Sequence, residues 1–337
     1  MGGDQSMEMT WNITALTSTG KLHRKAGIPC QDMTAAVVCN GVCAAALADG
    51  AGSARFSHHG ARACCDEISR YISESFDELT GDDNGLRVRK RILGRIREIL
   101  EDTAARYHTG QKELASTLLV SAIKGDRYFL IHIGDGVIGM VRAGRTRVAS
   151  VPVQGEYINS TIFTTSCQDP KDIRVYRGQL QGISSFFMMS DGLESCLYNR
   201  RRREFAPAMA KMVRISSVLP GEIAAAFLKE DIEKWAGYYT ADDCSLMMLT
   251  VPKSFFRLSC KVQAEILGIG RRKRGTKNRV RPYLRLLRAA VEPVSIGTLS
   301  KELHSGRESV EKRIRILEEC GLIGRNRDRV QSLVLPD

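Results

Sequence analysis

No stretch of this chain approaches the roughly 18 consecutive apolar residues that a membrane-spanning helix needs, and no membrane partner is expected. The N-terminal MGGDQSMEMTWN lacks the basic and apolar regions of a secretory signal. Met1-Gly2 with Ser6 meets the myristoylation pattern only minimally. Of the ten cysteines none forms C-x-x-C, and no Cys/His pair at ligand spacing is matched by a second. A disulfide framework and a structural zinc site are therefore both set aside. Several cysteines sit inside apolar runs, where a free thiol behaves as a small buried hydrophobe; the expected compartment is a reducing cytoplasm. Internal repeats and low-complexity segments are also missing.

What is present suits a soluble globular protein. The 337 residues are 43% hydrophobic and 26% charged, ample for a sizeable core and for two domains. The net charge of +12 is unevenly spread: residues 265–337 hold 17 Lys and Arg against 9 Asp and Glu, the preceding 264 residues 33 against 29. The basic excess thus sits mostly in the C-terminal fifth.

Residues 9–252 alternate short apolar runs with amphipathic stretches. Strands are predicted over 35–48 (turning at Asn40-Gly41), 116–123, 127–133, 137–142, 146–150, 174–180, 184–190 and 244–250. Helices are predicted over 57–77, 86–107, 203–215 and 219–236. Strands come in adjacent pairs and helices in blocks, which predicts an α+β domain with mainly antiparallel sheets rather than a doubly wound parallel one. A basic linker is expected over 253–281, around GIGRRKRGTKNRVRP. The remainder, 282–337, reads as helix, short helix capped by Ser295, longer helix with Val310, Ile314 and Leu317 on one face and Gly321 as its stop, then a charged turn and strand. That order is the layout of a winged helix-turn-helix.

Carboxylates recur at the ends of the apolar runs: Asp32 in IPCQDMTAAVV, Asp49 in AAALADGAG, Asp191 in SSFFMMSDGLES, and Asp242-Asp243 in YYTADDCSLMML. Each Asp-Gly alone is a good turn. Carboxylates gathered at one edge of a core repel one another, however, and hard divalent cations, which prefer oxygen ligands, remove that cost.

These motifs, in this order, resemble the bacterial branch of the metal-dependent protein phosphatases of the 2C class. The match is carried by GKLHRKAGIPCQD (20–32), ADGAGSARFSHHGA (48–61), ASTLLVSAI (115–123), HIGDGVIGMV (132–141), NSTIFTT (159–165), FMMSDGLES (187–195) and TADDCSLMML (240–249). The resemblance implies a four-layer α-β-β-α sandwich with two Mn²⁺ or Mg²⁺ ions at one end of the central sheets. It further implies that Asp49 bridges both ions, that the Gly50 carbonyl binds one, that Asp191 and Asp242 bind the other, and that Asp32 holds metal-bound water. Asp243 falls where the family commonly has Asn and is expected behind the ligands. Asp135 supports either a third, weaker ion or only a loop. The reaction expected is direct attack of a metal-bridging hydroxide on the phosphorus of a phosphoprotein.

One element departs from the family: the usual phosphate-gripping arginine ahead of the first Asp is missing. His23 stands at the branch's histidine, suited to protonating a leaving alkoxide or to contacting phosphate, and Arg24 and Lys25 are further phosphate candidates. Competing chemistries are set aside: no DxDx[TV] strand motif is present, Cys167 has no arginine at the C-x5-R offset, and Cys196, six residues before Arg202, is not taken as a nucleophile. In the tail, Arg307, Lys312, Arg313, Arg325 and Arg327 are candidate nucleic-acid contacts, while four glutamates on the same helix leave protein contact open. The alternative to an enzyme is a non-catalytic phosphatase-like regulator coupled to this DNA- or protein-binding tail; retention of Asp49, Asp191 and Asp242 favours catalysis.

Overall fold

The computed structural model describes residues 11–152, 161–269 and 275–334. The N-terminal motifs up to residue 10, Asn159-Ser160 and the basic Arg271–Arg274 run lie outside the described residues. The chain divides into two units. One takes residues up to 213 with 228–251, the other 214–227 with residues from 252 on.

The first unit opens with β1 (Asn12–Ser18), α1 (Lys21–Ala26) and the hairpin β2 (Met33–Cys39) and β3 (Val42–Ala48). Two long helices follow, α2 (Ser57–Gly81) and α3 (Gly85–Arg106). Then come β4 (Leu118–Lys124), β5 (Arg127–Ile133), β6 (Val137–Arg142), β7 (Arg145–Ser150), β8 (Arg174–Gln179) and β9 (Ile183–Met189). The short α4 (Glu194–Leu197), β10 (Tyr198–Asn199) and β11 (Glu204–Phe205) lead to α5 (Pro207–Val218) and α6 (Gly221–Tyr239), whose residues 214–227 count with the second unit, and to β12 (Cys244–Thr250). The strands form two five-stranded antiparallel sheets, β1-β12-β9-β6-β7 and β2-β3-β4-β5-β8.

Strand β3, VCAAALA, explains the layering. Every residue in it is buried. Its side chains alternate between two cores, as the period of two requires. Cys43, Ala45 and Leu47 join Phe186, Met188, Met247 and Leu249 between the sheets. Val42, Ala44, Ala46 and Ala48 pack with Ile68, Ile72 and Phe76 of α2 and Ile92 and Ile96 of α3. Alanine on the outer face lets α2 lie close on β2 and β3. Helix pair, sheet, sheet: three of the four expected layers follow from these contacts within the first unit. The β2–β3 turn is a two-residue one, with Asn40 at φ 53° and Gly41 at φ 72°, the left-handed pair that matches hairpin twist.

Three elements differ from expectation. Strand β1 escaped notice because two of its three inward side chains are polar, Thr14 and Ser18 beside Leu16, so its sequence hides the apolar alternation. Helix α1 buries no residue and so carries no amphipathic signal. The helix predicted from 203 begins only at Pro207, whose fixed φ and missing N–H suit a helix's first position; residues 204–205 pair with 198–199 instead.

In the second unit α7 (Cys260–Ile266) and α8 (Thr276–Ala289) occupy much of the stretch expected as a linker, with Pro282 inside α8 rather than ahead of it. Then come β13 (Val294–Ser295), α9 (Ile296–Glu302), α10 (Arg307–Glu319), β14 (Ile323–Asn326) and β15 (Arg329–Ser332), with sheet order β13-β15-β14. Leu286, Leu287, Ile296, Leu299 and Val330 are buried here together with Val310, Ile314 and Leu317 of α10. Ser295 caps α9 by accepting from the Thr298 N–H at 3.0 Å, and Gly321, at φ 66°, ends α10.

Candidate active site

Antiparallel register brings the acidic residues to one edge of each sheet. Met33 pairs with Ala48, so Asp32, just before β2, and Asp49, just after β3, flank the same edge. Leu246 pairs with Met189, so Asp191, two residues beyond β9, meets Asp242 and Asp243, just before β12. Ser18 of β1 pairs with Cys244, which brings Gly20 to the same place.

A backbone lattice fixes these loops. The Asp49 N–H donates to Thr117 Oγ1 at 2.9 Å, and the Thr117 N–H donates to the Asp49 carbonyl at 2.8 Å. The Gly50 N–H donates to the Gln31 carbonyl and the Ala51 N–H to the Ala115 carbonyl. Ser190 joins the two sheets: its hydroxyl donates to Asp32 Oδ2 at 2.8 Å and accepts from the Ser245 N–H at 3.0 Å. Asp243 is buried and accepts from the N–H groups of Gly20 and Gln31, each at 2.6 Å. It is a latch between the loops of Gly20 and Gln31. Asp242 is exposed and accepts from the Asp243 N–H at 2.9 Å.

The glycines of the Asp-Gly pairs are there for close approach. Neither Gly50 nor Gly192 has a positive φ. A Cβ on Gly50 would come within 2.9 Å of the Gln31 carbonyl oxygen and of Ser57 Cβ, and one on Gly192 would overlap the Asp243 carbonyl oxygen. On the side where a Cβ would point, Gly50 leaves no open space: Gln31 and Ser57 fill it.

The carboxylates repel. The charges of Asp32 and Asp191 bear on Asp49; ionised, all three are acceptors with no donor between them. Burial, then the Asp32 and Asp191 charges, hold the Asp49 carboxyl well above its ordinary range. Burial pushes Asp32 up to about 7, against the lowering effect of the hydrogen bond from Ser190. Asp191 is raised by burial and by the charges of Asp135 and Asp242. Among the described residues, the buried Asp32 Oδ1, Asp191 Oδ1 and Ser245 Oγ find no hydrogen-bond partner. Among the described residues no three His, Cys, Asp or Glu side chains close into a ready-made cage. The donor set nevertheless fits hard divalent ions that keep several waters: all-oxygen, anionic, mutually repelling, with orphaned acceptors.

The remaining candidates are scattered around this cluster. His23 Nδ1 lies 3.0 Å from Asp243 Oδ2, at an angle that makes no hydrogen bond. Arg24 and Lys25 are exposed on α1, and among the described residues no hydrogen bond or ion pair ties them to the acidic residues. Asp135 follows Gly134 (φ 105°), accepts from Thr161 Oγ1 at 2.5 Å and bears on Asp191 through its charge. Sequence reasoning missed Thr117 and Ser190, which hold Asp49 and Asp32, and the pair Glu194–Arg200, which with Asp191, Ser195 and Tyr198 lines a cleft of about 350 Å³. Arg200 is hidden in the run NRRRR, where nothing in the sequence singles it out. Two cysteines do stand six residues before an arginine, Cys64 before Arg70 and Cys196 before Arg202. Burial pushes Cys64 up to about 12 and raises Cys196 as well, the reverse of what a thiolate nucleophile needs. All ten cysteines are free. Among the described residues no helix is long and apolar enough to cross a membrane.

In the second unit, Lys312 and Arg327 are exposed, Arg307 is tied to Glu311 and Asp328, and Arg325 folds onto the Arg327 carbonyl at 3.0 Å. Arg313 is half-buried beside Ser305.

Known proteins match the same region. Serine/threonine-protein phosphatase 3 of Escherichia coli (strain K12) is 24% identical over 200 residues, covering 57% of this chain and 77% of that protein. Among solved structures, the S. agalactiae serine/threonine phosphatase has a TM-score of 0.48 at 17% identity, covering 72% of this chain and all of that one. Serine/threonine phosphatase Stp1 from Staphylococcus aureus also scores 0.48, at 11% identity, covering 75% of this chain and all of that one. Residues 19–233 match the protein phosphatase 2C family, a span that holds Asp32, Asp49 and Asp191 and well over half of the chain; the chain belongs to that family.

Proposed function

We propose that this chain is a metal-dependent phosphoserine/phosphothreonine protein phosphatase whose C-terminal unit, a winged helix, targets or regulates it. The observation that carries the reading is the convergence of Asp32, Asp49 and Asp191 from two sheets onto one buried edge, with mutual repulsion that a bound cation would relieve at neutral pH. Asp49, the Gly50 carbonyl, Asp191 and Asp242 would hold Mn²⁺ or Mg²⁺. Bound there, such ions supply an activated water and screen the charge of the transferring phosphoryl group. Asp32, held by the Ser190 hydroxyl, would orient the attacking water. Asp243 keeps the loops of Gly20 and Gln31 in register. His23, half-buried on α1, is the candidate proton donor to the leaving alkoxide. Metal-dependent hydrolysis of a phosphothreonine peptide by the full chain tests the reading; a chain inert with Mn²⁺ and with Mg²⁺ would leave the regulator alternative standing.

Linkage gives a test independent of activity. The Asp32 carboxyl titrates higher folded than unfolded, so its contribution to stability is complete below about pH 4 and is lost as pH rises through about 7. The metal-stripped protein is expected to melt a few degrees lower at pH 7.5 than at pH 5.5. Saturating Mn²⁺ should raise the midpoint at pH 7.5 by about 5–10 °C and release protons on binding. A melting temperature indifferent to divalent ions at both pH values would contradict the metal assignment.

For the tail, the exposed Lys312 and Arg327 suit contacts with a nucleic-acid backbone. The full chain is expected to bind a short DNA duplex at low salt, with affinity falling as salt rises. Lys312→Glu with Arg327→Glu should remove that binding. An absence of binding at low salt would assign the unit to protein contact.

A further inference from the structure

Three arginines of the C-terminal unit converge where no carboxylate meets them. Arg281 and Arg285 stand four residues apart on α8, and Arg313 reaches the same place from α10. With Asn278 and Ser305 they line a cleft of about 400 Å³, and no acidic residue is among its lining. Other arginines of this unit are compensated: Arg307 by Glu311 and Asp328, Arg214 by Glu265, and Arg288 by the Phe256 ring. Among the described residues none of the three forms an ion pair; Arg313 makes only a long hydrogen bond, 3.5 Å, to Ser305 Oγ. Like charges at i and i+4 destabilise a helix, and a third brought from a second helix adds to the repulsion. Such an arrangement is relieved by an anion in the cleft.

The chemistry of the lining narrows the anion. Guanidinium groups offer paired N–H donors that match the oxygens of phosphate, and several together favour a group with three terminal oxygens and two charges. The Asn278 amide adds a neutral donor, while the Ser305 hydroxyl donates to the Leu303 carbonyl and accepts from Arg313. A nucleic-acid backbone presents single charges strung along a strand and calls for a stripe of basic residues; a concave cleft gathering three arginines suits a terminal phosphate. We propose that the C-terminal unit carries a phosphomonoester-binding pocket built from Arg281, Arg285 and Arg313, and that it takes a phosphorylated serine or threonine side chain. The second half of this proposal rests on the phosphatase reading; the first half does not. Arg313, expected from the sequence to contact nucleic acid, belongs to this pocket.

The test uses the full chain with EDTA, which stops hydrolysis and leaves the acidic cluster repelling phosphate. O-phosphoserine is added while the arginine Nε–Hε resonances are followed by NMR, with Arg281→Lys, Arg285→Lys and Arg313→Lys assigning the signals. The three resonances are expected to move together on one saturable curve. Arg285→Ala should weaken the binding read from Arg281 and Arg313 by about tenfold or more, while Mn²⁺-dependent hydrolysis of p-nitrophenyl phosphate stays unchanged. A phosphothreonine peptide should saturate the same signals and its unphosphorylated twin should not. Non-saturating movement equal to that in sodium chloride at matched ionic strength overturns the pocket. Saturation by O-phosphoserine with none by the phosphopeptide overturns the side-chain occupant. Displacement of O-phosphoserine by much lower concentrations of a DNA duplex overturns the phosphomonoester assignment in favour of nucleic acid. Saturable binding in a wild-type chain that never hydrolyses phosphate esters supports the pocket and refutes the phosphatase reading instead.

Discussion

Asp49→Asn and Asp191→Asn are each expected to abolish metal-dependent hydrolysis while making the metal-free protein more stable. The two effects have one cause. Asp49 faces Asp32 and Asp191 across a buried edge, and both neighbouring charges, together with burial, raise its carboxyl. An amide of the same shape removes one charge from that cluster and supplies a donor where acceptors face one another. The melting temperature at pH 7.5 without metal should therefore rise by a few degrees. The same substitution removes an anionic ligand, so the stabilisation by Mn²⁺ should shrink or vanish. A bound divalent ion supplies several kcal/mol of charge stabilisation, and about 1.4 kcal/mol is tenfold in rate, so the loss in kcat should be about 10³–10⁴-fold. Hydrolysis assays and thermal melts with and without Mn²⁺ read both effects. Full metal-dependent turnover in both variants would sink the catalytic assignment; loss of activity with a lowered metal-free melting temperature would reassign these residues to folding.

Gly192→Ala is expected to be among the most damaging single-methyl additions in the chain. Its Cβ would overlap the Asp243 carbonyl oxygen, a backbone atom held beside the start of β12, and would also crowd Cys244 Sγ at 3.2 Å. Neither neighbour is the free end of a flexible side chain. The loops of Asp191 and Asp243 must separate, at a cost of about 1–3 kcal/mol or more, and the carboxylates lose their spacing. Gly94→Ala is the control. Gly94 lies inside α3 with nothing within 4 Å of the added carbon, so the change should stabilise by about 0.5–1 kcal/mol. Urea unfolding of the two variants separates these outcomes. A Gly192→Ala protein as stable and active as the parent would show that the Asp-Gly pair is a turn and nothing more.

Much of this was legible in the sequence. Strands β2 to β9 and β12 and helices α2, α3 and α6 follow from periodicity and turn chemistry, because their apolar residues face cores on a period the sequence displays. The acidic residues were legible because each stands beside a strongly apolar run, and a charge there is costly without a reason. Elements that bury polar side chains or none, β1 and α1, gave no such signal. The sequence could not tell Asp242 from Asp243, adjacent and chemically alike; resemblance alone ranked them. Tertiary structure separates them: Asp243 is buried against the N–H groups of Gly20 and Gln31, and Asp242 is exposed.

By itself, then, the sequence determined which residues carry charge at strand ends, which runs alternate, and that the basic excess gathers in the tail. Only the fold decided which charges meet. Antiparallel register carried Asp32 and Asp49 to one sheet edge and Asp191 and Asp242 to the other, and glycines without positive φ let the loops between them touch. In the tail, Arg281, Arg285 and Arg313 are spread over 33 positions of a basic segment, and only the packing of α8 with α9 and α10 gathers them in one cleft. The physical reason is the same in both places. A side chain's charge and size are local properties, written residue by residue, whereas repulsion, burial and ligand fit depend on distances between residues far apart in the chain, and those are set by register and packing.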